Sequence, residues 1–154
     1  MRRHEVTGSG DGKGVKVGVA VSQFNATITE ALLDGALDSL EQAGVEECTI
    51  VRVPGALELG SALLGLCEAG HDAVVAIGAV IEGETDHYEH VATQTSNAIT
   101  QIGLATGIPI GNAVLTVRDI GHARERSRPG PGNKGAEAAL AAITMANVLR
   151  GIQT

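Results

Sequence analysis

Aromatic residues are almost missing from this 154-residue chain, which has one Phe, one Tyr and no Trp. A core without rings has to be assembled from Ala, Val, Leu and Ile, which pack in thin, closely spaced layers. The two rings that exist, Phe24 and Tyr88, fall beside polar, turn-like sequence at predicted strand ends, so each is informative. Positive charge is also scarce. Eleven Lys and Arg stand against 18 Asp and Glu, a formal net charge of -7, which argues against a nucleic-acid groove or an anionic membrane surface as the main partner. An anionic ligand must then be held by local positive charge. Cysteine is limited to Cys48 and Cys67, too few for a disulfide framework. With no signal-like N-terminus, a reduced cytoplasmic setting is expected, and both thiols read as small core residues. Membrane spans, repeats, a Walker lysine motif and GxGxxG are all absent.

What is present suits one domain, because 154 residues at 44% hydrophobic content are enough for a single core. Met1 to Gly14 carries four glycines and no periodicity. It is expected to be a flexible arm that orders when a neighbour captures it, with the folded domain running from residue 15 to 154. Val15 to Val21 reads as the first strand. Thr27 and Glu30 have capping-box spacing before a helix with Leu32, Leu33, Ala36, Leu37 and Leu40 on one stripe. Cys48 to Val53 is a second strand, and Pro54-Gly55-Ala56 turns into a helix that buries Leu59, Ala62, Leu63 and Leu66.

The stretch Asp72 to Val91, DAVVAIGAVIEGETDHYEHV, organises the rest. Its apolar run from Ala73 to Ile81 suits a strand buried on both faces, with a buried helix as the rival reading. A long helix from Asp86 to about Thr106 is predicted to bury Val91, Ile99, Ile102 and Leu104. Pro109 to Thr116 follows as a fourth strand, and Asp119 to Ser127 as a short charged helix. Asn133 caps a last helix that carries Ala136, Ala139, Leu140, Ile143 and Leu149 on its apolar face. Strand and helix alternate four times, which specifies a three-layer α/β sandwich: a central four-stranded parallel sheet of flavodoxin-like type with helices on both faces.

The strand ends near Phe24, Ala56, Gly83 and Thr116 must then gather along one edge, where open α/β sheets bind ligands. His87 sits there at a helix start, flanked by Asp86 and Glu89, carboxylates that can orient an imidazole for proton transfer. Gly83-Glu84-Thr85 offers backbone N–H groups and a hydroxyl to an anion at the positive end of the helix dipole, although simple N-capping by Thr85 is compatible. The segment Arg124 to Arg128 supplies candidate cations, or a solvated helix face. Phe24 can stack on a flat heterocycle and Glu58 can accept hydrogen bonds, against the plainer readings of a core edge and a first-turn carboxylate. Lys134 by itself is a surface lysine. Residue chemistry alone points to a pocket for a planar ligand and a phosphate, with one histidine.

Taken in order, Phe24-Asn25, the VPGALE segment from Val53 to Glu58, GAVIEGETDHYEHV from Gly78 to Val91, PIGNAVLT from Pro109 and GNKGAEAALAAITMANVL from Gly132 resemble the lumazine synthase family. The likeness covers about Val15 to Leu149. It implies condensation of 5-amino-6-(D-ribitylamino)uracil with 3,4-dihydroxy-2-butanone 4-phosphate, losing phosphate and water, with no metal and no organic cofactor. It implies that Phe24 stacks on the pyrimidine, that Ala56, Leu57, Glu58, Ala79, Val80 and Ile81 hold the ring and ribityl chain, and that Lys134 lies near the ribityl end. Glu84 and Thr85 would receive the phosphate, Arg126 would be its cation, and His87 would move protons. Sites between the subunits of a homopentamer are implied too. A hollow icosahedral shell of pentamers goes with members that, like this chain, lack an insertion before GNKG.

Three positions and one short stretch depart from the common pattern. Glu82 stands where many members have arginine and Asp86 where Pro, Thr or Ser is frequent, so the entrance is more acidic. Asn112 stands where many members place an aromatic over the pyrimidine and others an asparagine, leaving Phe24 as the main stacking surface, and Arg128 to Pro131 differs in composition at the same length. The competing readings are an archaeal-type riboflavin synthase, a non-catalytic shell or flavin- or lumazine-binding protein of the same fold, and a phosphoacceptor receiver domain. The histidine in GETDHYEHV and the GNKG segment disfavour the riboflavin synthase. Intact His87 and Arg126 disfavour the non-catalytic protein, and Ser22-Gln23 and Gly83-Glu84 lack the acids a receiver needs.

Overall fold

Four runs rich in Val, Ile and Ala pair in parallel in the order β2-β1-β3-β4, where β1 is Val17–Ser22, β2 Cys48–Val53, β3 Ala73–Ile81 and β4 Ile110–Val117. The computed structural model describes every residue from Met1 to Thr154. Five helices connect the strands: α1 (Ala26–Gln42), α2 (Leu59–Glu68), α3 (His87–Thr106), α4 (Ile120–Ser127) and α5 (Lys134–Gln153). Parallel neighbours need crossovers, and α1, α4 and α5 pack together on one sheet face while α2 and α3 cover the other. This is the expected three-layer sandwich, and no helix is long and apolar enough to cross a membrane.

Strand alternation assigns side chains to the two layers. Val17, Val19 and Val21 of β1 and Val75, Ile77 and Ala79 of β3 face α1 and α5. Ala20, Val74 and Ala76 face α2 and α3. Burying each Val or Ile of this set contributes about 1.5–3 kcal/mol, against ~0–1 kcal/mol for an exposed ion pair such as Arg150–Asp72 at 3.3 Å. Apolar layering therefore decides the fold.

Aromatic scarcity has a geometric counterpart. The buried face of α5 is Gly135, Ala138, Ala139, Ala142, Ile143 and Ala146. A Cβ on Gly135 would collide with the Leu32 carbonyl of α1, and one on Gly111 of β4 with the Ala138 carbonyl of α5. Small residues thus set the α1–α5–sheet spacing. This overturns two predicted core positions. Leu140 is 46% exposed because α5 turns its Gly and Ala stripe, with Ile143, inward. Leu104 is 83% exposed, since α3 turns Val91, Thr95 and Ile99 toward the sheet.

The Thr27–Glu30 capping box does not form. The N-cap of α1 is Asn25, in a left-handed conformation with φ 59 and no side-chain cap bond; Thr27 is exposed, and Glu30 instead pairs with Arg52 of β2. That pairing raises the Arg52 pKa, through the hydrogen bond first and the charge second. Burial pushes the Cys48 and Cys67 thiols up, so both stay protonated and act as core or core-edge side chains. The N-terminal arm lies along its own α5: Asn147 Nδ2 donates to the Ser9 and Asp11 carbonyls, each at 2.9 Å.

Asn133 joins the α4–α5 turn to the helical layer. It is 2% exposed; its Oδ1 accepts the Ala136 N–H at 3.0 Å, and its amide donates to the Ser127 and Arg128 carbonyls at 3.0 and 3.1 Å. Losing the cap and stranding two carbonyls makes Asn133→Ala destabilising by about 2–3 kcal/mol. Asn133→Asp keeps the cap oxygen but sets a buried carboxylate oxygen against the Ser127 and Arg128 carbonyls, so it should destabilise at least as much. Urea unfolding of the three proteins checks this, and a loss below roughly 0.5 kcal/mol for the alanine variant would show that the turn is held by other contacts.

Candidate active site

The order β2-β1-β3-β4 places a topological switch between β1 and β3, because the chain leaves those two strands toward opposite faces. A crevice forms at the carboxyl ends of such strands. Here it is a cleft of about 410 Å³ lined from four directions. Phe24 and Asn25 come from the end of β1, Gly55 to Glu58 from the turn after β2, Ala79 to Ile81 and Gly83 from the end of β3, and Thr85, His87, Tyr88 and Val91 from the start of α3.

Parallel pairing brings the first and third groups together. Val21 is registered with Ile77, so the backbone beyond β1 passes beside Ala79. Asn25 Nδ2 donates to the Ala79 carbonyl at 2.9 Å, which ties the αL turn to β3. Asparagine is among the few residues that adopt this region readily. With Asn25 turned back, Phe24 faces outward and is 72% exposed, so it is not a core edge. Its ring is an unpaired flat surface on the cleft wall.

The turn after β2 is a single 3₁₀ turn, Ala56–Glu58, leading into α2. Leu57 is 54% exposed and lines the cleft with Ala56 and Glu58. Together with Ala79, Val80 and Ile81 they make a mainly apolar wall with one carboxylate, suited to a flat heterocycle that carries a polar chain.

His87 is the first residue of α3, after Asp86 at the N-cap, which makes no side-chain cap bond. The Thr85 hydroxyl accepts the His87 N–H at 3.4 Å. Neither Asp86 nor Glu89 hydrogen-bonds the imidazole, so the expected orientation by flanking carboxylates is absent; the ring lies on the cleft, available to a ligand. The free N–H groups of this helix start and the dipole behind them favour an anion here.

The remaining predicted residues lie elsewhere in the single chain. Glu84 is exposed in the turn between Gly83 and Thr85, at the rim rather than in the lining. Asn112 is exposed on β4, where its Oδ1 accepts the Val114 N–H at 2.9 Å. Arg126 is on α4, with Nη1 donating to the His122 carbonyl at 3.1 Å. Lys134 pairs with Glu137 at 2.8 Å. The lining contains no lysine or arginine at all.

Some lining residues escaped the sequence reading. Asn25 was visible only as part of a motif, because its role depends on a carbonyl 54 residues away. Tyr88 carried a signal, being the second of two rings and adjacent to His87. Gly83 was part of the expected anion-binding turn, whereas Gly55 and Val91 gave no sign of lining the cleft.

The 6,7-dimethyl-8-ribityllumazine synthase family model matches residues 14–150. The 6,7-dimethyl-8-ribityllumazine synthase of Kineococcus radiotolerans is 46% identical over 144 residues, which span 92% of this chain and 89% of that protein. A protein of the same name from Thermococcus kodakarensis is 41% identical over 155 aligned positions, covering 99% of this chain and 98% of the relative. With similarity of this strength running through every strand and helix that frames the cleft, the chain belongs to the 6,7-dimethyl-8-ribityllumazine synthase family.

Proposed function

We propose that the protein is a transferase of riboflavin biosynthesis that condenses 5-amino-6-(D-ribitylamino)uracil with 3,4-dihydroxy-2-butanone 4-phosphate to 6,7-dimethyl-8-ribityllumazine, phosphate and water. The observation that carries this reading is the shared cleft, where an outward Phe24 ring, the Ala56–Glu58 turn and the Ala79–Ile81 strand end meet the start of α3 with Thr85 and His87. The pyrimidine would stack on Phe24 with its ring and ribityl chain along the two apolar segments. The butanone phosphate would rest on the amides of Glu84 and Thr85 and the Thr85 hydroxyl. Imine formation, phosphate loss and ring closure each move a proton, a task for the unbonded imidazole of His87, while the cleft chiefly aligns the two reactants.

Arg126, Lys134 and Asn112 complete the site in this proposal from an adjoining copy in a homopentamer. Two facts support it. The three residues lie away from the cleft of their own chain, and that cleft has no cation for a phosphate. Assembly of pentamers into a shell follows from the same resemblance, and two free cysteines suit a reduced, cytoplasmic setting. An archaeal-type riboflavin synthase and a non-catalytic shell or binding protein are not favoured, since the family match is to lumazine synthase.

Mixing the protein with both substrates and following lumazine absorbance tests the reaction; no absorbance change with correctly folded protein refutes it. His87→Ala should slow condensation by roughly 10²-fold, the lower end for a general acid–base group, without altering the particle mass. Arg126→Ala should raise KM for the butanone phosphate far more than for the pyrimidine, and equal effects on both would remove Arg126 from the phosphate site. Sedimentation should show five chain masses or a multiple of five, and a fully active monomer would end the composite-site reading.

A further inference from the structure

The β3–β4 register runs to the last residues of both strands, with Ile81 opposite Val117, and the Glu82 N–H continues it by donating to the Val117 carbonyl at 2.9 Å. The next residues, Glu82 and Arg118, therefore emerge side by side, and Arg118 Nε lies 3.5 Å from Glu82 Oε2. Arg118 is 86% exposed and Glu82 43%. A pair this wet contributes little to stability. Its place is more telling, because Glu82 directly precedes Gly83-Glu84-Thr85, the turn that presents amides to an anion.

That rim is heavily acidic. Glu82, Glu84, Asp86 and Glu89 crowd the start of α3, Glu58 faces it from the turn after β2, and no cation lines the cleft. A dianionic substrate approaching this edge meets a repulsive field within a Debye length of about 8–10 Å. Arg118 is the one basic residue that the strand register sets against this turn.

We propose that Arg118, supplied by the same chain as the cleft, is a specificity-determining residue for the phosphorylated substrate: by pairing with Glu82 it cancels the acidic charge beside the Gly83–Thr85 turn. The proposal rests on the lumazine-forming reading above. It assigns Arg118 no contact with reacting atoms. The predicted effect is on binding of the anion, with the uncharged pyrimidine as an internal control.

The test is steady-state kinetics on the assembled protein. In roughly 20 mM salt, Arg118→Ala should raise KM for the butanone phosphate about fivefold while KM for the pyrimidine and kcat stay within about twofold, and the difference should shrink in about 0.5 M salt. Arg118→Lys should behave as wild type, and Arg118→Ala combined with Glu82→Gln should recover the original KM. A merely structural surface pair would produce neither the substrate split nor the salt dependence. An unchanged KM, an equal rise for both substrates, or no recovery in the double variant would overturn the proposal alone. A correctly folded wild-type protein that forms no lumazine would overturn the functional reading and this inference together.

Discussion

The parallel pairing of β1 with β3 is the constraint on which the site depends. Both strands run the same way and are in step from Val17–Ala73 to Val21–Ile77, so their carboxyl ends finish at one edge with the chain leaving toward opposite faces. The Asn25–Ala79 hydrogen bond then closes the seam. It holds the residue after Phe24 in a left-handed turn, and that turn keeps the only phenyl ring out of the core. Had the helix begun with an ordinary capping box, the ring would lack this anchor.

The small-residue core and the cleft are connected through packing. Because α5 presents Gly135 and alanines, it approaches both α1 and β4 closely enough for their backbones to touch its surface. Tight layering of α1 and α5 fixes one face of the sheet and leaves α2 and α3 to frame the ligand edge on the other. Sparse aromatics are thus no deficit in stability. The few rings are free to serve the cleft, where both Phe24 and Tyr88 are found.

Much of this was legible in the chain. Strand boundaries followed from short apolar runs, and β2 fell on Cys48–Val53 as read. Asn133 was recognisable as a cap, since capping is local chemistry. What was misread depends on partners distant in sequence. Thr27 and Glu30 have the right spacing, yet the helix start is set by Asn25 reaching β3. Leu104 and Leu140 sit in periodic patterns, but periodicity cannot say which side of a helix faces inward when the true stripe includes Thr95 on α3 and is mostly Gly and Ala on α5. Glu82 looked like an uncompensated acid because only the β3–β4 register reveals Arg118 beside it.

Charge ties the remaining pieces together. A chain of net charge -7 that is to bind a phosphorylated substrate must place its few cations where they count. The cleft itself has an aromatic surface, backbone amides and an imidazole, but its lining is without Lys or Arg. Backbone amides and a helix dipole can position an anion, yet they offset only part of the repulsion from Glu58, Glu82, Glu84, Asp86 and Glu89. Compensation must come from outside the lining: from Arg118, placed by strand register, and in the proposed pentamer from Arg126 of the adjoining copy. Each cation then lowers the cost of bringing an anionic substrate to an acidic entrance, and in the proposed pentamer part of that compensation would belong to the assembly rather than to the single chain.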